Sequence, residues 1–492
     1  MKLVKRYFNP GVIIFVVFLS VSYVLLFSYS TSPLYPYCYG GDSGGDSAHF
    51  MTVGKAWAAG RLPYRDMFDH KGPLIYFIDM VGFLLLGSKY GIAILQIIFM
   101  FFTFSSIWCI SQLAHDSKTF GISVLVLSGI AMKVNYILGN TVEEYCLPFL
   151  GWAFFLLFRF FQKPEHTHDW RWTVFYGVTA GVCLLTRATN VIPIVGGILT
   201  VCVMLIVGRE FANLGQNAVA FVGGFVLTIL PFTLYFLANG SIGYAIYDII
   251  LFNVEYSRGV LPWFKDTGAD TVIIFLKSFF LFYCIFFAGL IYFSKRNWIM
   301  GTTCIVTGLL EAVVFMNNQA WSQYALVCLP QIAVLMCAVR SAIEDEDSSI
   351  RFVGIMFVCA IVMFTNMAFC ERVITAKDAH RAYASEGKRD WSTLVKRIPA
   401  EERDSFVAYG ENDVKDLYLI TDTIPCYKYY MIQDFVSRFS KTLQEDIKMT
   451  FDEGNAKWLL VDKESHTLDD LLQRRYSLFD ENERYGLYKL KE

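Results

Sequence analysis

Runs of about twenty apolar residues recur along the chain between residues 11 and 370, and each run is long enough to cross a bilayer as a helix. The pattern predicts an all-α integral membrane protein with about eleven transmembrane helices. The predicted spans are 11–30, 90–113, 119–138, 146–161, 172–189, 191–208, 217–238, 271–293, 298–316, 323–340 and 350–370. No cleavage site follows the first run, so we expect it to be retained as a span.

Basic residues between these runs predict the orientation. They occur in the N-terminal residues and at 118, 163–171, 209, 294–297 and 340–351. Connections rich in Lys and Arg favour the cytoplasmic side, and these connections share one side only if the short run 72–87 does not cross. We therefore expect a cytoplasmic N-terminus, a juxtamembrane or re-entrant helix at 72–87, and a first outer loop at 31–89.

Residues 371–492 have a different pattern. Short strands are predicted at 405–410, 458–463 and 485–490, and helical stretches at 413–421 and 432–450. We expect a transmembrane domain at 1–370, followed by a small α/β extracytoplasmic domain at 371–492.

Composition narrows the class of protein. The chain is 55% hydrophobic and 17% charged, which is too apolar for an ordinary soluble protein of 492 residues. The net charge of −2, with no basic stripe, gives no reason to expect a nucleic-acid partner. Most of the cysteines lie in apolar runs as small hydrophobic residues. Cys38, Cys370 and Cys426 lie in predicted outer segments, where spacing does not decide pairing.

The long polar segment at 40–77 concentrates charge beside the membrane. Its first part predicts an amphipathic interfacial helix with Phe50 and Val53 on the apolar face, Trp57 as the membrane anchor and Gly60 at the end. Asp46 lies at the start of this helix, either as an N-cap or as a functional carboxylate. Lys71 lies just before the next apolar run, either as a snorkelling lysine or as a phosphate ligand.

The elements GDSAHF, GRLPYRD and HKGPLIYF in this segment resemble the membrane glycosyltransferases of family 39. That family includes the protein O-mannosyltransferases and the lipid A aminoarabinose transferases, and its fold is called GT-C. Weaker resemblances occur in NTVEEY, LLTRATN and QYALVCLPQ. The resemblance implies a sugar donor on a polyprenyl phosphate, and inverting transfer to a glycan, lipid or protein acceptor on the outer face.

By resemblance, Asp46 is the catalytic aspartate, Lys71 binds near the donor phosphate, and Arg187 lies near the outer cavity. The family often has Asp-Glu at the first motif, whereas Asp46 is followed here by Ser47. A phosphate leaving group needs cations rather than an acid, and the acceptor hydroxyl needs one positioned base. A single carboxylate with Lys or Arg is therefore a sufficient set, unlike the two carboxylates of glycoside hydrolases.

Further candidates each have a structural alternative. The pattern indicates Arg258 for the donor phosphate or lipid headgroups, Glu143 and Glu144 for the acceptor or a divalent ion, and Glu311 as an intramembrane carboxylate. Asp42 either shares a site with Asp46 or is a turn residue. The remaining candidates for the substrate loop are His49, His70 and Tyr324. No spacing demands a metal site, although a divalent cation stays open as a cofactor.

Two other functions compete with the glycosyltransferase hypothesis. A transporter or flippase of a lipid-linked glycan would show repeats and broken helices at the membrane midplane, whereas the charges here gather at one face. A non-catalytic glycan-binding scaffold would not need Asp46. The basic connections and the resemblance together favour a multi-pass protein of a bacterial plasma membrane.

Overall fold

A computed structural model describes residues 9–36, 45–259, 280–316, 321–345, 390–410 and 414–491, together with single positions between 351 and 374. The chain divides into two compact units. The helical unit comprises Met1–Phe27, Leu95–Pro231 and Leu261–Ala376. The mixed unit comprises Ser28–Ile94, Phe232–Val260 and Lys377–Glu492. The first outer loop and the C-terminal region thus belong to one unit, and the predicted domain boundary at residue 370 stays a prediction.

Helices dominate the described part of the chain up to residue 343. In chain order they are α1 (Pro10–Phe27), α2 (Asp46–Ala58), α3 (Pro73–Leu86), α4 (Lys89–Ala114), α5 (Lys118–Asn135), α6 (Val142–Gln162), α7 (Trp170–Leu184), α8 (Ile192–Val207), α9 (Phe211–Ala238), α10 (Ile242–Ile246), α11 (Phe252–Gly259), α12 (Phe280–Ser294), α13 (Trp298–Met316) and α14 (Pro330–Ile343). Tighter 3₁₀ turns occur at Ala188–Val191 and Ser322–Cys328, and one π-helical turn occurs at Tyr247–Leu251.

Six of the described helical segments are long and apolar enough to cross a membrane, and a seventh results if Ser322–Cys328 and α14, bent by 56°, form one span. These seven coincide with predicted spans at 11–30, 90–113, 146–161, 191–208, 217–238, 298–316 and 323–340. The chain is therefore a multi-pass membrane protein. Helices α5 and α7 occupy two more predicted spans. The last two, at 271–293 and 350–370, lie partly or mostly outside the described residues, so the count of eleven stays a prediction.

Side-chain caps explain where several helices begin. The Ser117 hydroxyl accepts a hydrogen bond from the Phe120 amide before α5 (3.3 Å), and the Thr141 hydroxyl accepts one from the Glu144 amide at the start of α6 (3.4 Å). Each cap satisfies an amide that has no partner within its own helix, which stabilises the helix by about 1 kcal/mol.

The C-terminal part of the mixed unit forms a four-stranded sheet in the order β1-β2-β4-β3. The strands are β1 (Phe406–Tyr409), β2 (Trp458–Asp462), β3 (Tyr476–Glu481) and β4 (Tyr485–Leu490). Strands β1 and β2 are parallel, and the other pairs are antiparallel. The helices around the sheet are α15 (Ser392–Val395), α16 (Leu417–Ile420), α17 (Gln433–Ser437), α18 (Lys441–Glu453) and α19 (Asp469–Arg475). Three of the four strands were predicted from the sequence, and β3 was missed.

Helix α2 lies in the interior of the mixed unit rather than at a lipid interface. Ala48 and Met51 share a buried cluster with Leu419 of α16. Trp57 is 7% exposed, and its indole donates a hydrogen bond to the Tyr235 hydroxyl (2.8 Å). The prediction that Trp57 is a membrane anchor was therefore wrong, because protein side chains cover the ring and satisfy its N–H group.

Candidate functional site

The sequence-predicted residues form two groups, one in each unit. In the mixed unit, the loop cluster consists of Asp46, His49, Asp69, His70 and Lys71. In the helical unit, the arginine cluster consists of Glu143, Arg187 and Tyr324. The other predicted residues lie elsewhere in the described chain, except Asp42, which lies outside the described residues.

Asp46 is the first residue of α2, and its side chain is exposed. Gly45 occupies the N-cap position, so Asp46 is a first-turn residue rather than the cap itself. A carboxylate in the first turn interacts favourably with the helix dipole by about 0.3–1 kcal/mol. The Lys415 side chain covers this helix end, because a Cβ atom at Gly45 would lie 2.0 Å from Lys415 Cδ. The Asp46 side chain is nevertheless exposed at this end of α2.

Lys71 and His70 form a direct pair. The Lys71 ammonium donates a hydrogen bond to His70 Nε2 (2.8 Å). Burial is the main reason that the pKa of His70 is lowered to about 3, and the adjacent Lys71 charge lowers it further. His70 is therefore neutral at physiological pH.

Three hydrogen bonds fix the backbone around this pair. The Tyr64 hydroxyl donates to the Lys71 carbonyl (2.8 Å), the Asn253 amide donates to the His70 carbonyl (2.7 Å), and the His70 amide donates to Asp69 Oδ1 (2.6 Å). Tyr64 itself has φ = 69°, which is a strained conformation for a residue other than glycine. Lys71 is thus presented from a rigid loop.

Asp69 belongs to the loop cluster, although it was not predicted as a site residue. Asp69 is only 4% exposed, so its carboxylate is buried in the mixed unit. Burial raises the pKa of Asp69, but the neighbouring His49, His70 and Lys71 outweigh it, so the pKa is lowered overall. The signal in the sequence was an acidic residue directly before His70-Lys71, although nothing there showed that it would be buried.

His49 lies one turn after Asp46 on α2. It is 8% exposed and packs edge-to-face against Tyr430, with ring centroids 5.5 Å apart. Burial lowers its pKa, and the charges of Asp69 and Asp46 act in the opposite direction. Asp46 also influences His70 electrostatically. The Asp46 carboxylate therefore lies within electrostatic reach of the residue that holds Lys71.

The arginine cluster joins three predicted residues that are distant in sequence. Arg187 Nη1 lies 3.5 Å from Glu143 Oε1, and the Arg187 guanidinium lies 3.3 Å from the centroid of the Tyr324 ring. Glu143 is buried in the first turn of α6, and Tyr324 belongs to the turn Ser322–Cys328. Cation–π contact and ion pairing together fix the plane of the guanidinium.

Glu144 and Glu311 have structural partners. Glu144 accepts hydrogen bonds from the Tyr136 hydroxyl (2.7 Å), the Asn140 amide (2.8 Å) and the Gln96 side chain (2.9 Å). These bonds use most of its acceptor capacity, so they favour a structural role. Glu311 is fully buried in α13 and accepts a hydrogen bond from Gln331 of α14.

Arg258 is exposed in the last turn of α11. The same helix carries Asn253, which holds the His70 carbonyl, and Tyr256, which stacks on the His70 ring.

Among the described residues, no three His, Cys, Asp or Glu side chains are grouped so that they could hold a metal ion. Cys370 and Cys426 are free thiols. Cys38 lies outside the described residues.

Solved structures with a similar fold are membrane glycosyltransferases. ArnT from Cupriavidus metallidurans bound to undecaprenyl phosphate matches with a TM-score of 0.52 and 11% identity, over 98% of each chain. The Archaeoglobus fulgidus oligosaccharyltransferase tethered to an acceptor peptide matches with a TM-score of 0.54 and 11% identity, over 100% of this chain and 75% of that one. At this identity the matches establish the fold, which is the predicted GT-C fold.

Sequence comparison gives the family. No curated protein matches the chain. Residues 8–369 match the family model described as "Putative competence-induced protein Ccs4 N-terminal domain". That match covers most of the chain. The protein is therefore a GT-C-fold membrane protein that belongs to the Ccs4 N-terminal domain family.

Proposed function

We propose that the protein is an integral-membrane glycosyltransferase that moves a sugar from a polyprenyl-phosphate donor to an acceptor hydroxyl. One observation carries the proposal: an exposed carboxylate, Asp46, and a lysine fixed on a rigid loop, Lys71, both act electrostatically on His49. The GT-C fold supports it, because one neighbour was solved with undecaprenyl phosphate and another with an acceptor peptide. We place the loop cluster on the outer face of a bacterial plasma membrane, with the N-terminus in the cytoplasm.

In the proposed reaction, the acceptor oxygen attacks the anomeric carbon on the face opposite the phosphate. Asp46 accepts the hydroxyl proton while the new carbon–oxygen bond forms. The bond between the anomeric carbon and the phosphate oxygen breaks, and its electron pair leaves with the polyprenyl phosphate. Lys71 donates hydrogen bonds to that phosphate as its negative charge grows, which stabilises the transition state. The product has the inverted anomeric configuration.

Within the helical unit, Arg187 is a separate candidate for binding an anionic group. Its guanidinium is already held by Glu143 and Tyr324, so its direction is fixed before a ligand binds. A cation whose orientation is preorganised loses little conformational entropy when it binds an anion. Arg258 is a weaker candidate, because it is exposed at a helix end.

A transfer assay tests the function. Purified protein in detergent is incubated with a panel of radiolabelled polyprenyl-phosphate sugars and with glycan, lipid and peptide acceptors. We expect one donor to turn over, with product of inverted configuration by NMR. If undecaprenyl-linked sugar is bound and moved across proteoliposome membranes without transfer, the protein is a transporter or flippase instead.

A further inference from the structure

The His70 ring lies between two charged side chains, with Asp69 on its Nδ1 side and Lys71 on its Nε2 side. His70 Nδ1 lies 3.7 Å from Asp69 Oδ1, and His70 Nε2 lies 2.8 Å from the Lys71 ammonium. Of these three side chains, Asp69 is buried and Lys71 is half-buried.

The hydrogen-bond inventory fixes the tautomer of His70. An ammonium group has three donors and no acceptor, so His70 Nε2 must accept from Lys71. In a neutral imidazole the proton then resides on Nδ1, which faces Asp69. A carboxylate in this position stabilises that tautomer electrostatically.

Aromatic contacts hold the imidazole plane. Tyr256 stacks on the His70 ring with centroids 5.6 Å apart and an interplanar angle of 28°. Phe252 contacts the ring at 5.5 Å with a tilt of 47°. Because the ring cannot turn freely, its Nε2 atom fixes one of the three N–H directions of Lys71.

We propose that Asp69 is a positioning residue for phosphate binding. Through the Nδ1–H tautomer of His70, it sets the direction in which Lys71 presents its two remaining N–H groups to a phosphate oxygen of the donor. This inference rests on the proposed function. It explains why a carboxylate is retained in the interior, where such a group is otherwise costly.

Lipid binding and NMR test the proposal together. Binding of undecaprenyl phosphate is measured for wild type, Asp69→Asn and Asp66→Asn on monodisperse protein in detergent. Asp66 is a matched control in the same loop, since its carboxylate accepts hydrogen bonds from the Leu62 amide and the Arg65 side chain. We expect Kd to rise roughly tenfold for Asp69→Asn, a loss of about 1.4 kcal/mol, and to stay within about twofold for Asp66→Asn.

The tautomer is measured by ¹⁵N NMR of histidine-labelled protein, with the His70 signal assigned from His70→Gln. We expect the Nδ1–H form in wild type and a mixture of tautomers in Asp69→Asn. An Nε2–H form of His70 in wild type, or an unchanged Kd in Asp69→Asn, overturns the proposal. The wild-type tautomer decides the question even if Asp69→Asn folds poorly. If wild type does not bind the lipid phosphate, the proposed function is overturned instead. The proposed role of Asp69, His70 and Lys71 in phosphate binding then fails as well, whichever tautomer is found.

Discussion

Replacing Asp248 by Asn should remove a large part of the pH dependence of stability. Asp248 lies in the π-helical turn Tyr247–Leu251, is fully buried, and has no hydrogen-bond partner for either oxygen among the described residues. Burial raises its pKa to about 8; Lys428 acts to lower it, and Asp69 and Asp446 act to raise it. The carboxyl group is therefore mostly protonated at pH 7 in the folded protein.

The sign and the magnitude follow from linkage. The folded pKa of about 8 lies above the reference value of 3.8, so this contribution to stability is fully present below pH 3.8 and is lost as the pH rises through 8. Each unit of difference corresponds to about 1.4 kcal/mol, which gives a change on the order of 6 kcal/mol across the window from pH 3.8 to pH 8. His49, His70 and Asp69 have lowered pKa values in the folded protein, so their contributions to stability are lost as the pH falls. Their effect on the stability profile therefore has the opposite sign and lies at lower pH than that of Asp248.

Thermal unfolding in detergent, followed by tryptophan fluorescence between pH 6 and 9, measures the effect. Wild type should lose stability as the pH rises, whereas Asp248→Asn should be more stable at pH 8 and should have a much flatter profile. Asp422→Asn is the control, since Asp422 is an exposed carboxylate of the same unit, 91% exposed and paired with Lys55. Parallel profiles for wild type and Asp248→Asn would refute the reasoning.

Two further predictions concern packing in the mixed unit. Gly54→Ala should destabilise by about 1–3 kcal/mol in chemical denaturation, because a Cβ atom there would lie 2.4 Å from Asp79 Cβ. The control is Gly215→Ala, at a position with open space in the part of α9 that belongs to the helical unit; it should be neutral or stabilising, and equal losses would contradict the argument. Trp57→Phe should cost about 1 kcal/mol or more, since the Tyr235 hydroxyl loses its donor. An unchanged midpoint would argue against that bond.

The sequence predicted local features of the loop cluster better than its assembly. The spacing of Phe50, Val53 and Trp57 predicted α2, and Gly60, with φ = 92°, follows its end as expected. The same spacing suggested a lipid-facing helix, because periodicity shows that a face is apolar and not what covers it. Partners such as Leu419, which packs on α2, come from segments hundreds of residues away. No local pattern reports contacts of that separation.

The missed elements have physical reasons. Strand β3 places Leu478 and Phe479 next to each other and leaves both exposed, so it lacks the alternation that identifies a half-buried strand. The role of Asp69 depends on burial, which a charged residue in a polar loop does not suggest. Arg187 and Tyr324 were each predicted as site residues. Their contact could not be predicted, because the two residues are 137 positions apart in the sequence.

The central claim is that Asp46 is the base and Lys71 the phosphate ligand, and steady-state kinetics of donor turnover test it most directly. We expect Asp46→Asn to lower kcat by at least 100-fold with little change in donor affinity, since removal of a general base costs about 10²–10⁴-fold. Lys71→Ala should mainly weaken donor binding, and Asp422→Asn should behave as wild type. Wild-type turnover by Asp46→Asn would contradict the account.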